Sequence, residues 1–134
     1  MTRAMHFRRV TPPPILSHRD LIVWQRARAL SIECRRVCKL LPAEVRYALI
    51  DQILRAAVSI AGNIAEGRGR LSKADNVRHL AIARGSLLEL MSHLDLATGM
   101  EYISEESTSH AQALAVEVQC MLNVQIRKLG NRRL

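Results

Sequence analysis

Apolar residues recur at helical spacing in four successive segments of this chain. No other feature constrains its fold as strongly. In the first segment Val23, Ala27, Leu30, Cys34, Val37 and Leu41 follow one another at steps of 4, 3, 4, 3 and 4. That spacing lines one face of a helix and never gives the two-residue alternation of a half-buried strand. Helix one is expected over residues 18–41, opened by Ser17 and Asp20 at capping-box spacing and stopped by Pro42. Helix two is expected over residues 43–66. Its apolar positions, Leu49, Ile50, Ile53, Leu54, Ala57, Ile60, Ala61 and Ile64, cover much of the circumference. They leave a narrow polar track of Asp51, Arg55, Ser59, Asn63 and Glu66, in which Asp51 and Arg55 are spaced for an i,i+4 ion pair. Gly67 is placed to close this helix in a left-handed cap.

The third segment opens at Ser72, a capping residue with Asp75 three positions on, and continues to Thr98 with Gly99 after it. Its seam is Leu80, Leu87, Met91 and Leu94, flanked by Ala83, Leu88 and Leu90. The fourth starts at Ser104, with Glu105 and Glu106 suited to the positive end of the helix dipole. It runs through Leu114, Val118, Met121, Leu122 and Ile126 to Leu129, before Gly130. Four long helices joined by short loops predict an all-α, antiparallel up-down-up-down four-helix bundle. Residues 1–17 read as a flexible basic arm with a Pro12-Pro13-Pro14 run, residues 18–130 as the bundle, and residues 131–134 as a basic tail.

Composition agrees with this class. A length of 134 residues fits one domain, and 49% hydrophobic residues are too many for a disordered chain. Aromatics make up only 3%, which argues against a β-sandwich or barrel. The longest stretches free of Asp, Glu, Lys and Arg, residues 56–65 and 107–116, are half the length of a membrane span, so no transmembrane helix is expected. Three cysteines make no disulfide framework, and no apolar region follows the start as in a secretory signal; both point to the cytoplasm.

Twenty Lys and Arg against twelve Asp and Glu leave a net charge of +8. In an antiparallel bundle the start of helix one, the loop between helices two and three, and the end of helix four meet at one pole. Eleven of the twenty basic residues collect there: Arg3, Arg8, Arg9, Arg19, Arg68, Arg70, Lys73, Arg127, Lys128, Arg132 and Arg133. Such a cluster is the footprint of phosphate binding, with a solubilising surface as the bland alternative. The loop carrying Arg68 and Arg70 leads into the amino end of helix three, where free N–H groups favour anions. Arg68, Arg70, Lys73, Arg127, Lys128, Arg132 and Arg133 are the expected nucleic-acid contacts. The poverty of aromatics favours backbone and shape contacts over base stacking on aromatic rings.

No catalytic motif appears, and the five histidines are scattered, so neither an enzyme nor a cofactor is expected. Cys34, Cys38 and Cys120 could form a three-thiol site, but small core residues are the expected reading, with no metal. Arg84 has the helical neighbours Val77, Leu80, Ala81, Leu88 and Met91, all apolar. A buried arginine needs a partner, and Glu66 on helix two is the expected one, with Asn63 nearby, as a structural polar pair. Gly62 and Gly85 inside helices are expected at close helix contacts. The broad apolar surface of helices two and three points to a subunit interface more than to a merely buried pair.

The segment from Gln52 to Gly67 (QILRAAVSIAGNIAEG), with Asp20 to Gln25 (DLIVWQ) and Ala83 to Glu89 (ARGSLLE), resembles the four-helix bundle proteins encoded in intervening sequences of bacterial 23S ribosomal RNA genes. It is more distantly similar to the accessory variability determinants of diversity-generating retroelements. The resemblance spans residues 20–129. It departs at Ala61-Gly62, where the family reads Pro-Ser and a proline kink is therefore not expected here. The resemblance implies an antiparallel bundle assembled as a homopentameric ring or barrel, without established enzymatic activity. Through the retroelement accessories it also implies binding to nucleic acid and to a reverse transcriptase. The function expected is thus a non-enzymatic homo-oligomer, a pentamer by resemblance, that binds nucleic acid, structured RNA above all, through its basic pole. The alternative is a scaffold ring docking a partner enzyme.

Overall fold

The computed structural model describes residues 17–130. The arm up to residue 16 and the tail 131–134 lie outside the described residues, so the expectations placed on them, including Arg132 and Arg133, are neither met nor refused. Four α-helices form the described structure: α1, Ile22–Leu40; α2, Asp51–Arg68; α3, Lys73–Gly99; and α4, Glu105–Gly130. Each packs against its two neighbours in the order α1–α2–α3–α4–α1, as an antiparallel four-helix bundle.

The apolar stripes do what their spacing implies. Val23, Ala27, Leu30, Cys34, Val37 and Leu41 are all buried. They meet Ile53, Ala57, Ile60 and Ile64 of α2, Leu80, Leu87, Leu90 and Leu94 of α3, and Leu114, Val118 and Leu122 of α4 in one core. The core is aliphatic apart from Cys34 and Cys38, and aliphatic side chains stabilise by about 1.5–3 kcal/mol each when removed from water.

The helix ends depart from expectation in four places. The Ser17–Asp20 capping box is present, with Ser17 N–H donating to Asp20 Oδ2 at 3.1 Å, but it heads a 3₁₀ turn, His18–Asp20. Leu21 is extended, and α1 begins only at Ile22. The helical path towards α2 begins at Ala43 as expected but is irregular: a 3₁₀ turn, Ala43–Val45, and a π-helical turn, Arg46–Ile50, precede the regular helix. Pro42 lacks an N–H, so this entry cannot start as a plain continuation of α1. Gly67 is not a left-handed cap. No glycine among the described residues has a positive φ, α2 continues through Arg68, and Gly69 caps it at φ −77°. Gly99 likewise stays helical, and the left-handed residue that turns the chain out of α3 is Glu101, at φ 64°. Ser72 caps α3 as its position implies, accepting from the Asp75 N–H at 3.1 Å.

Hydropathy singles out one stretch of the bundle. Within the helical stretch Ala43–Arg68 one 18-residue window has a mean hydropathy of 1.3, enough to cross a membrane by length and composition alone. The two charges Asp51 and Arg55 interrupt it without lowering that mean enough. In the bundle its apolar side is core, against α1 and α3.

Candidate nucleic-acid interface

All four helices contribute to the pole where α1 starts, α2 ends, α3 starts and α4 ends. A cleft of about 350 Å³ opens there. Ile64 of α2 and Leu80 of α3 form its buried floor, with Leu21 and Leu129 beside them. Arg68 from the end of α2 and Lys128 from the end of α4 line the same cleft, so two of the expected phosphate contacts are brought together by the fold. Both side chains are exposed. Among the described residues no acid lines this cleft.

The other basic residues are placed less uniformly. Lys73 is the first residue of α3 and Arg127 sits in the last turn of α4, both exposed and outside the cleft lining. Arg70 is exposed but not free: its guanidinium meets Glu66 at 2.5 Å. That exposed i,i+4 pair is worth at most about 1 kcal/mol to the fold. It does neutralise one of the cations expected to meet phosphate.

Glu66 is therefore spoken for by Arg70, and the expected Glu66–Arg84 pair does not form. Arg84 is exposed and makes no ion pair among the described residues. The register explains this. Gly67 sits beside Asn76, Asn63 faces His79, and Ser59 faces Ser86. In that antiparallel frame Arg84 lies level with residues 59–61, about six residues or ~9 Å along the axis from Glu66. Asp51 and Arg55 likewise form no ion pair among the described residues.

The buried polar residue at this interface is His79, 5% exposed. It belongs to a chain of contacts running between α2 and α3. Ser86 and Ser59 hydroxyls lie 2.9 Å apart. Asn63 Nδ2 donates to the Ser59 carbonyl at 2.9 Å, which turns Oδ1 towards His79 Nδ1 at 3.1 Å. That orientation puts the neutral imidazole proton on Nδ1. Nε2 has no hydrogen-bond partner among the described residues, its nearest charged neighbour being Glu66 Oε1 at 3.9 Å. The polar track of helix two is thus partly an interhelical seam. The signal for it was the i,i+4 pair Ser59 and Asn63, the uncharged members of that track.

Glycine usage follows the same geometry. A Cβ on Gly67 would lie 2.8 Å from Asn76 Oδ1 and 3.0 Å from His79 Cβ, so α2 and α3 approach tightly at this glycine. Gly62 and Gly85, expected at helix contacts, face open space instead. Among the cysteines, Cys34 and Cys38 are buried as core residues, whereas Cys120 is exposed and not part of the core. Burial pushes the Cys34 thiol up to about 12 and the Cys38 thiol up to about 11, so both are neutral thiols at physiological pH. Among the described residues no group of Cys, His, Asp and Glu is arranged to hold a metal.

The model of the 23S rRNA-intervening sequence protein family matches residues 19–124. The chain belongs to this family. A crystal structure of a protein of unknown function from the S23 ribosomal protein family of Bacteroides thetaiotaomicron is similar to it, at 26% identity and a TM-score of 0.74, over 79% of this chain and 99% of that one. No curated protein matches. Family membership carries the fold with it, and the matched span begins at Arg19, ahead of α1, and stops at Val124, within α4. Lys128 and Arg127 lie beyond it, so part of the basic pole sits outside the span that defines the family.

Proposed function

We propose that this family member is a non-enzymatic, cytoplasmic homo-oligomer that binds structured RNA through its basic pole. The observation that carries this reading is the convergence of Arg68 and Lys128, from different helices, on one cleft free of acidic residues. Cations fixed on separate rigid elements match phosphates at defined spacing better than cations on one mobile loop. Arg127 and Lys73 widen the positive surface at the same end of the bundle. Self-association is supported by exposed apolar side chains on α2 and α3: Val58 at 67%, with Ile82, Leu88 and Leu96 each above 40%. A ring, as the resemblance implies, would multiply the basic poles and steepen the response to salt.

A scaffold role is the second reading, favoured by an adjoining groove of about 530 Å³ between α1 and α4, which shares Leu21, Gln125 and Lys128 with the cleft. Its wall is mostly apolar, with Ile22, Met121 and Val124. A partner protein docking there would bind with little dependence on salt.

The deciding experiment is a salt series of binding to structured RNA, duplex DNA and heparin, with the mass read by light scattering. RNA affinity should fall steeply with salt. Replacing Arg68 and Lys128 together by Gln should reduce the slope of log K against log salt by roughly 1–2. RNA binding that ignores salt, or a double variant with unchanged slope, refutes the assignment.

A further inference from the structure

Two amides join the two cations and the aliphatic residues that line the cleft. Asn76 and Gln125 line it from α3 and α4, both half-buried. Neither side-chain amide makes a hydrogen bond to another described residue. A half-buried amide without partners is an unused donor and acceptor pair. Here two such pairs from different helices lie above an aliphatic floor of Ile64 and Leu80, with Arg68 and Lys128 at the exposed rim. The absence of a side chain at Gly67 makes room for Asn76, whose Oδ1 lies only 2.8 Å from where a Cβ would sit.

Each layer of the cleft asks for a different part of a ligand. The floor asks for a flat or apolar body. The amides ask for an edge carrying both donors and acceptors. The rim asks for negative charge, and no lining acid opposes it. A simple anion would leave floor and amides unused, and a fatty acid would leave the amides unused. A nucleotide uses all three, since the edge of an unpaired base offers the donors and acceptors that Asn and Gln read. At about 350 Å³ the cleft lies at the small end of ligand sites, which span roughly 300–1,000 Å³, and so suits one nucleotide rather than several.

We infer that the cleft receives one unpaired nucleotide of a bound RNA. The base packs against Leu21 and Leu129 above the buried Ile64 and Leu80, its edge meets Asn76 and Gln125, and its flanking phosphates meet Arg68 and Lys128. This rests on the RNA reading above and deepens it: the duplex parts of the RNA are held by charge, and the unpaired base gives selectivity. Recognition is aliphatic rather than aromatic, in keeping with a chain that is only 3% aromatic.

The test compares two RNA duplexes, one fully paired and one carrying a single bulged 2-aminopurine, binding to the full-length oligomer at one salt concentration. The bulged RNA should bind about tenfold more tightly, the discrimination expected of one well-placed set of base-edge contacts. Its fluorescence should change on binding. The double variant N76A/Q125A keeps both cations; it should bind the paired duplex as before and lose the tenfold preference. Adenosine monophosphate alone, followed by the methyl NMR signals of Ile64 and Leu80, tests the cleft without RNA and without a variant that must fold. Equal affinity for the two RNAs, a preference that survives N76A/Q125A, or methyl signals that adenosine monophosphate leaves unmoved would overturn the inference. Methyl shifts with adenosine monophosphate but no binding of either RNA would refute the RNA reading while supporting the cleft as a nucleotide site.

Discussion

Gly67→Ala puts the tight α2–α3 approach to a direct test. In an exposed helix interior this substitution stabilises by about 1 kcal/mol, because alanine loses less backbone freedom on folding. At position 67 the added methyl meets three atoms at once: Asn76 Oδ1 at 2.8 Å, His79 Cβ at 3.0 Å and the Asn76 carbonyl oxygen at 3.2 Å. Only the first belongs to the end of a side chain that can swing away. The other two are tied to the backbone of α3, so relief requires α2 and α3 to separate by a few tenths of an ångström. Overpacking of this kind costs about 1–3 kcal/mol. Separation would also stretch the Asn63–His79 contact, already 3.1 Å. The net effect expected is a loss of about 1–2 kcal/mol, or a few degrees in Tm for a chain of this size. Gly85→Ala is the matched comparison. Nothing lies within 4 Å of its added methyl, so the propensity gain stands and stability should rise by about 0.5–1 kcal/mol. Urea unfolding followed by circular dichroism reads both variants, with the mass in solution checked by light scattering. Equal stabilisation in the two variants would refute the reasoning, because it would mean that α2 and α3 do not approach at Gly67.

Four further outcomes follow from the same geometry. Glu66→Gln should release Arg70 and strengthen RNA binding several-fold with stability changed by less than about 1 kcal/mol; an unchanged dissociation constant would show that Arg70 does not contact RNA. Asn63→Ala leaves the buried His79 Nδ1–H without its acceptor and should cost about 1–3 kcal/mol in urea unfolding, whereas Arg84→Gln, at an exposed and unpaired position, should change stability by less than about 0.5 kcal/mol. Iodoacetamide at pH 8 should modify Cys120 alone in the folded protein and all three thiols in denaturant, as read by mass spectrometry. Because the folded Cys34 thiol titrates near 12 against an ordinary 9.0, the unfolded chain loses that proton first; its contribution to stability is complete below pH 9 and should be lost between pH 9 and 12, a slope that Cys34→Ala should reduce.

Much of the bundle was legible one helix at a time. The stripe from Val23 to Leu41 is buried at every position. The capping signals at Ser17 and Ser72 form the hydrogen bonds their spacing implies. These features depend on residues within a turn of one another, so spacing alone carries them. The errors cluster where a partner helix decides. Arg84 looked buried because its own helical neighbours are apolar, yet exposure depends on what packs across from it, and the opposite helix leaves that side open. Gly67 looked like a cap because helices often end at glycine. Its role is to let Asn76 and His79 of α3 approach, which no local pattern announces.

The basic pole falls between these cases. Antiparallel topology was enough to gather its charge at one end, since helix order and loop length determine which termini meet. Which cations share a site, and which one Glu66 holds, required the actual packing. Amphipathic period, caps and the pole's net charge are properties of the chain, because they arise from neighbours along it. The His79 seam, the α2–α3 approach at Gly67 and the amide-lined cleft belong to the tertiary structure alone, because they depend on the axial register between helices. A shift of one turn, about 5.4 Å, would leave every periodicity intact while dismantling all three.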